Sequence, residues 1–185
     1  AERDKYRTLV PMFEQMAELS HIIREHRKQR GSIDFDFPET KMVLDENGRP
    51  IDIKPYERNT ATKMIEDFML LANETVAEEY FWRELPFLYR THETPDDEKI
   101  KKLSTLINNF GYHIHVGNGV RPMEVQKLLG KAEGTPEEAL IDRLALRSMK
   151  QAKYSPENTG HFGLAAKYYT HFTSPIRRYP DLQIH

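Results

Sequence analysis

The chain has 185 residues, of which 38% are hydrophobic and 30% charged, and this balance predicts one soluble globular unit. No apolar run approaches the roughly 20 residues that a helix needs to span a bilayer. The absence of cysteine excludes a disulfide framework and cysteine-ligated zinc, and it is compatible with a cytoplasmic protein.

The net charge of −2 argues against a protein that binds nucleic acid over its whole surface. The charge is unevenly distributed, however. Residues 143–178 contain seven basic residues and one acidic residue, a net charge of +6, which leaves −8 on the rest of the chain. A basic region within an acidic protein indicates a localised anionic partner.

The first half of the chain predicts a helix, a strand, a hairpin and a second helix. Apolar residues at helical spacing indicate an amphipathic helix over residues 5–27, and alternating polarity indicates a strand over residues 33–37. Residues 42–44 and 51–53 flank Asn47-Gly48, a strong hairpin signal. After Asn59 or Thr60 as a cap, apolar residues on several faces predict a buried central helix.

The second half predicts further helices. One begins at Thr94-Pro95 and ends at Gly111, and another begins at Thr135, where Glu138 completes a capping box. The resulting fold class is α+β, dominated by helices, with a small antiparallel sheet.

The C-terminal segment predicts an anion site. Ser174 is a good helix N-cap and Pro175 a good first helical residue, which would place Arg177 and Arg178 in the first turn. Two guanidinium groups beside free backbone N–H groups would bind a phosphate.

Six segments, taken together and in order, resemble the catalytic domain of the ribonuclease II/ribonuclease R family. They are RGSIDFDF at 30–37, MIEDFMLLANE at 64–74, FLYRTHE at 87–93, RSMKQAKYSPEN at 147–158, GHFGL at 160–164 and YTHFTSPIRRYPDL at 169–182. The resemblance extends along essentially the whole chain.

The resemblance implies a hydrolytic exoribonuclease that shortens single-stranded RNA from its 3′ end, uses magnesium and releases nucleoside monophosphates. In the family the metal-binding carboxylates come from an upstream aspartate cluster, which has no counterpart here. We therefore expect residues 1–185 to be the C-terminal portion of such a catalytic domain, truncated at both ends. Its partners would be RNA, the rest of the domain and flanking RNA-binding domains. The alternative is a non-catalytic RNA-binding or purely structural piece.

The resemblance also assigns roles to individual residues. Arg177 matches the arginine that contacts the phosphate at the cleaved bond; alternatively, it pairs with Asp181, unless Arg178 is that partner. Ser174 and Arg178 would complete the RNA contact.

Two further residues carry assignments that remain open. Glu66 matches a glutamate near the 3′-terminal nucleotides, although it could instead form a salt bridge with a core arginine. Phe35 aligns with an aromatic residue that stacks on bases, although it could be a core residue.

Three other patterns suggest sites that we consider weaker. Asp34 and Asp36 could share a cation but more simply form a solvated strand face, and His113 and His115 have no third zinc ligand in view. The spacing Gly160-x-x-Gly163 is too short for a dinucleotide fingerprint and instead favours close approach of the backbone to RNA or to a strand.

Overall fold

The computed structural model describes residues 2–34, 40–55, 58–117 and 119–185. Within these ranges it contains seven helices and four strands. The elements in chain order are α1 (Glu2–Lys5), α2 (Val10–Arg30), β1 (Thr40–Leu44), β2 (Pro50–Pro55), α3 (Thr60–Trp82), β3 (Tyr89–Thr91), α4 (Asp97–Asn108), α5 (Pro122–Ala132), α6 (Glu138–Ser148), β4 (Lys153–Ser155) and α7 (Tyr179–Ile184). The predicted α+β class with dominant helices is confirmed.

The strands form two separate antiparallel pairs. In the β1–β2 hairpin Met42 faces Ile53, and the turn uses Gly48 at φ 77°, as the Asn-Gly signal predicts. The second pair joins β3 to β4, with Tyr89 opposite Ser155. Most of the predicted strand at 33–37 lies outside the described residues.

The first predicted helix begins later than expected. Residues 2–5 form the short α1, and α2 begins at Val10 with Pro11 in its first turn. The helix ends at Gly31, which adopts the left-handed conformation at φ 97°. Proline lacks an N–H group and is favoured in a first turn, and this accounts for the later start.

An ion-pair cluster joins α2 to α3. Asp67 on α3 is 1% exposed and accepts hydrogen bonds from Ser20 at 2.6 Å, Arg24 at 2.6 Å and Arg27 at 2.5 Å, all on α2. A buried carboxylate needs such partners because burial without them disfavours its charge. The cluster therefore fixes how the two long helices pack.

The N-terminal cap of α3 is confirmed, because the Asn59 side chain accepts a hydrogen bond from the Thr62 N–H. The prediction that this helix is buried on several faces is only partly right. Ile65, Leu71 and Trp82 are 53%, 43% and 69% exposed. Only the inner face of α3, which carries Asp67, packs against other described elements.

The main hydrophobic core lies among α4, α5 and α6. Ile100, Leu103 and Ile107 of α4 are buried as their helical spacing predicts. They pack with apolar residues of α5 and α6 and with Ile33 and Phe162. Helix α4 begins at Asp97 and ends at Asn108, inside the predicted limits.

The capping box predicted for α6 does not form. The Thr135 hydroxyl donates to the Ala132 carbonyl instead, and the Glu138 carboxylate accepts a hydrogen bond from the Gly134 N–H. Both side chains close the turn after α5, so α6 begins at Glu138 without a side-chain cap.

Candidate functional site

The predicted helix start at Ser174 is wrong. Ser174 begins an isolated turn, in which its carbonyl accepts hydrogen bonds from the N–H groups of Arg177 at 3.3 Å and Arg178 at 3.1 Å. Helix α7 begins only at Tyr179, and Arg178 is its N-terminal flanking residue. A helix running on from Pro175 would place Pro180 in its interior, where the ring clashes and the N–H is missing.

Buried Asp181 holds this turn in place. The carboxylate is 0% exposed and accepts hydrogen bonds of 2.8 Å from the Ser174 N–H and from two nitrogens of Arg178. Burial opposes ionisation of Asp181, but the bonds from Arg178 and Ser174 outweigh it and lower the pKa of the carboxyl. Arg178 is thus the ion-pair partner of Asp181, one of the two pairings that the sequence leaves open.

Arg177 is free by comparison. Its side chain is exposed and has no hydrogen-bond or ion-pair partner in the described part of the chain. The neighbouring Thr173 hydroxyl is buried and likewise lacks a partner among the described residues. A braced turn therefore presents one unengaged guanidinium, which is suited to an anionic ligand.

Residues 169–172 anchor the turn to the rest of the protein. The Asn73 side chain on α3 donates to the Tyr169 hydroxyl at 3.1 Å and accepts from the Phe172 N–H at 3.0 Å. The Thr170 hydroxyl donates to the Leu88 carbonyl at 2.6 Å. These contacts join residues more than 80 positions apart, so no local sequence pattern indicates them.

Buried His92 and half-buried His161 organise the loop after β4. His92 Nδ1 accepts a hydrogen bond from the Gly163 N–H at 3.1 Å, so its Nε2–H donates to the Lys150 carbonyl at 2.8 Å. His161 Nδ1 accepts from the Leu164 N–H at 3.2 Å. A Cβ at Gly163 would lie 3.1 Å from the His92 ring. The glycine at position 163 thus lets the backbone approach His92 at the end of β3. This is the close approach to a strand that the Gly160-x-x-Gly163 spacing favours.

Burial lowers the pKa of His161 to about 3, with further lowering from His92 and Arg90. Burial likewise lowers the pKa of His171 to about 4, with Arg178 adding to the effect. Both rings are therefore neutral at physiological pH.

These histidines predict acid sensitivity. Below about pH 6.5 the unfolded chain binds protons that the folded state does not, so the free energy of unfolding should fall as the pH drops. Between pH 7 and 5 we expect a loss on the order of 1 kcal/mol for each histidine. Urea unfolding across this range measures it, and a variant with His161→Gln and His171→Gln should show a shallower decline. If the free energy of unfolding of that variant fell as steeply with pH as that of the parent chain, the two histidines would not be the cause of the acid sensitivity.

Glu66 lies apart from the Arg177 turn. It lines a cleft of about 590 Å³ between α2, α3 and α5 that includes no residue of the turn. Its carboxylate accepts a 2.8 Å hydrogen bond from Arg58, whose guanidinium also lies 3.5 Å from Asp34. Glu66 thus forms an ion pair, as the alternative expected, but its partner Arg58 is half-buried rather than a core arginine. Phe35 lies outside the described residues.

The described residues do not fit a divalent metal. They contain no group of three or more His, Asp or Glu side chains that could hold an ion. Asp34 is mostly exposed, its companion Asp36 lies outside the described residues, and His113 bonds to Asn108 at 2.7 Å. Among the described residues no helix is both long and apolar enough to cross a membrane.

Comparisons with known proteins agree on one family. A model described as RNB domain matches residues 1–185. Ribonuclease R of Aquifex aeolicus is 48% identical over 98% of this chain and 26% of its own length. Mycoplasma genitalium RNase R, solved with ribose-methylated single-stranded RNA, superposes with a TM-score of 0.90 at 33% identity over 97% of this chain and 28% of that one.

A second structure of the Mycoplasma protein, in complex with double-stranded RNA, gives a TM-score of 0.91, again at 33% identity and covering 97% of this chain and 32% of that one. This chain spans about a quarter of the length of the curated relatives that it matches. Because the family model covers every residue and the structural similarity extends over nearly the whole chain, the chain belongs to the RNB domain family.

Proposed function

We propose that this chain is the C-terminal portion of the catalytic domain of a hydrolytic 3′-to-5′ exoribonuclease that degrades single-stranded RNA to nucleoside monophosphates. The observation that carries the proposal is the unengaged Arg177 on a turn braced by buried Asp181. Similarity to ribonuclease R along the whole chain supports it.

In this proposal Arg177 acts on the phosphate that is cleaved. Attack by water adds negative charge to the phosphate oxygens, and a guanidinium with two parallel N–H donors stabilises that charge. Because Asp181 holds the turn from within, the backbone that carries Arg177 is fixed, and its unengaged guanidinium has no protein contact in the described part of the chain to give up when it binds the phosphate. Ser174 is proposed to contact the same segment of RNA.

The other proposed contacts bind the RNA strand away from the phosphodiester bond that is cleaved. Glu66 would accept hydrogen bonds from ribose hydroxyls near the 3′ end, in exchange for its bond from Arg58. Arg178 would contact RNA through the nitrogen that Asp181 does not engage. Phe35 would stack on a base.

The proposal places the rest of the machinery outside the described residues. Hydrolysis of this kind uses a divalent ion, which we propose to be magnesium, to activate water. The remainder of the catalytic domain and flanking RNA-binding domains would supply its ligands and guide the RNA. A cysteine-free chain suits a reducing compartment, and we propose that the enzyme is cytoplasmic.

A second candidate is that the chain by itself binds RNA without cutting it. The net charge of +6 over residues 143–178 favours this activity. The described residues also contain no cluster of metal-binding carboxylates.

A time course with 5′-labelled single-stranded RNA and magnesium tests both candidates. We expect a protein that carries this chain within a full-length nuclease to produce a ladder that shortens from the 3′ end. The 185-residue chain alone should bind the RNA, so that it migrates more slowly in a native gel, and should leave its length unchanged. Internal cuts by the full-length protein, or no shortening, would contradict the exonuclease proposal.

A further inference from the structure

A cationic cleft of about 740 Å³ lies where the loop after β4 meets the end of α2 and the start of α5. Arg30, Arg121 and Lys167 line it, and its described lining includes no carboxylate. Arg30 donates two 2.8 Å hydrogen bonds to Glu74, which offsets its charge. Arg121 and Lys167 are exposed, and their side chains have no partner in the described part of the chain. The cleft thus offers two free cations.

Local packing fixes the backbone near both residues. Gly31 lies so close to the start of α5 that a Cβ on it would be 3.0 Å from Met123, which brings Arg121 beside the end of α2. In the loop after β4 the Asn158 side chain donates to the Lys167 carbonyl at 3.0 Å and accepts from the Gly160 N–H at 3.1 Å. Two separate elements, the start of α5 and the loop after β4, therefore carry the two free cationic residues that line the cleft.

An aromatic cleft of about 950 Å³ adjoins the cationic one. Phe81 and Asn158 line both clefts, and the aromatic one continues past Trp82 and Phe87 to the end of α7. Trp82 is 69% exposed, and its ring lies 5.4 Å from that of Phe81 in an edge-on arrangement. An exposed indole supported by a second ring is a platform on which a base can stack.

The charge of the Glu66 cleft provides a contrast. Its described lining includes four basic residues and six acidic ones, so it is less suited to phosphates than the clefts around Phe81, whereas a carboxylate such as Glu66 suits ribose hydroxyls. The pair of clefts around Phe81 has three basic residues and one acidic residue, Glu84, among its described lining, together with exposed aromatic surface. This combination is typical of surfaces that bind single-stranded nucleic acid without sequence preference.

We propose that a segment of single-stranded RNA lies across Phe81, with a base stacked on Trp82 and phosphates against Arg121 and Lys167. The inference rests on the proposed function in taking RNA as the ligand. It adds a strand-binding surface formed by α3, the start of α5 and the loop after β4. Because the aromatic cleft reaches α7, which follows the Arg177 turn directly, the surface could hold RNA that extends beyond that turn.

Salt-dependent binding of a fluorescein-labelled 12-nucleotide oligouridine to the 185-residue chain tests the proposal. Each phosphate contact on a single strand contributes about 0.7 to the slope of log K against log salt, so Arg121→Ala with Lys167→Ala should reduce the slope by about 1.4. The matched control, Lys101→Ala with Lys102→Ala on the exposed face of α4, removes the same charge and should leave the slope nearly unchanged.

Trp82→Ala should weaken binding about 5- to 150-fold without changing the slope, and Trp82→Phe should retain most of the affinity. Circular dichroism confirms that each variant folds. An unchanged slope in the Arg121 and Lys167 variant, an equal change in the control, or no RNA binding by the parent chain would overturn the proposal. If the full-length nuclease still shortens RNA, the exonuclease proposal survives that failure.

Discussion

Replacing Arg177 with alanine should lower the turnover of single-stranded RNA roughly 10²- to 10³-fold in a nuclease that contains this chain, a loss typical of removing one donor to a developing charge. Stability should hardly change, because the side chain is exposed and has no partner among the described residues. Single-turnover cleavage of 5′-labelled RNA, together with a thermal melt, separates the two effects.

Two variants sharpen this prediction. Arg177→Lys keeps the charge but cannot form the two-pronged contact, so its rate should fall between those of the parent and Arg177→Ala. Arg178→Ala is the neighbouring control. It leaves buried Asp181 without its guanidinium and should lower the melting temperature as well as the rate. Near-normal turnover by a folded Arg177→Ala variant would overturn the role of Arg177.

Local signals explain why several elements could be predicted from the sequence. The Asn59 cap and the Asn47-Gly48 turn depend on side chains within three residues of the structure that they determine. The spacing of Ile100, Leu103 and Ile107 sufficed to define the buried face of α4. Helix α5 was not predicted, although Pro122 opens it and Val125, Leu128 and Ala132 recur at helical spacing.

Competing local signals explain the errors. Ser174-Pro175 is a good helix start, but Pro180 interrupts any helix that begins there, so the chain forms a turn and begins α7 later. Thr135 and Glu138 have the spacing of a capping box, but both bond to the turn that ends α5. In each case a second local signal prevented the expected helix cap from forming.

Contacts between distant residues explain what the sequence could not show. The sequence left open whether Arg177 or Arg178 pairs with Asp181, because either spacing allows contact, and the structure shows Arg178. That Asp181 is fully buried and also holds the Ser174 N–H depends on tertiary packing. The link from Asn73 to Tyr169 spans 96 positions, and no periodicity reports on such a pair.

Removing the charge of Asp67 should destabilise the fold more than any other substitution that we predict. Asp67→Asn leaves Arg24 and Arg27 facing each other in the α2–α3 interface without their shared carboxylate. Breaking a buried pair by removing one partner costs about 3–5 kcal/mol. Because Arg24 is 35% exposed, we expect the lower end of that range, or a fall of about 6–12 °C in melting temperature.

The matched control is an ion pair of the same kind on the surface of the same helix. Glu79 pairs with Arg83 one turn along, and the two side chains are 57% and 63% exposed. Glu79→Gln should therefore change stability by no more than about 0.5 kcal/mol. If Asp67→Asn melts within about 1 °C of the parent chain, the arginines must reach water without it, and the cluster would not be what fixes α2 against α3. A large loss confined to Asp67→Asn would show that burial, rather than ion pairing itself, gives this carboxylate its importance.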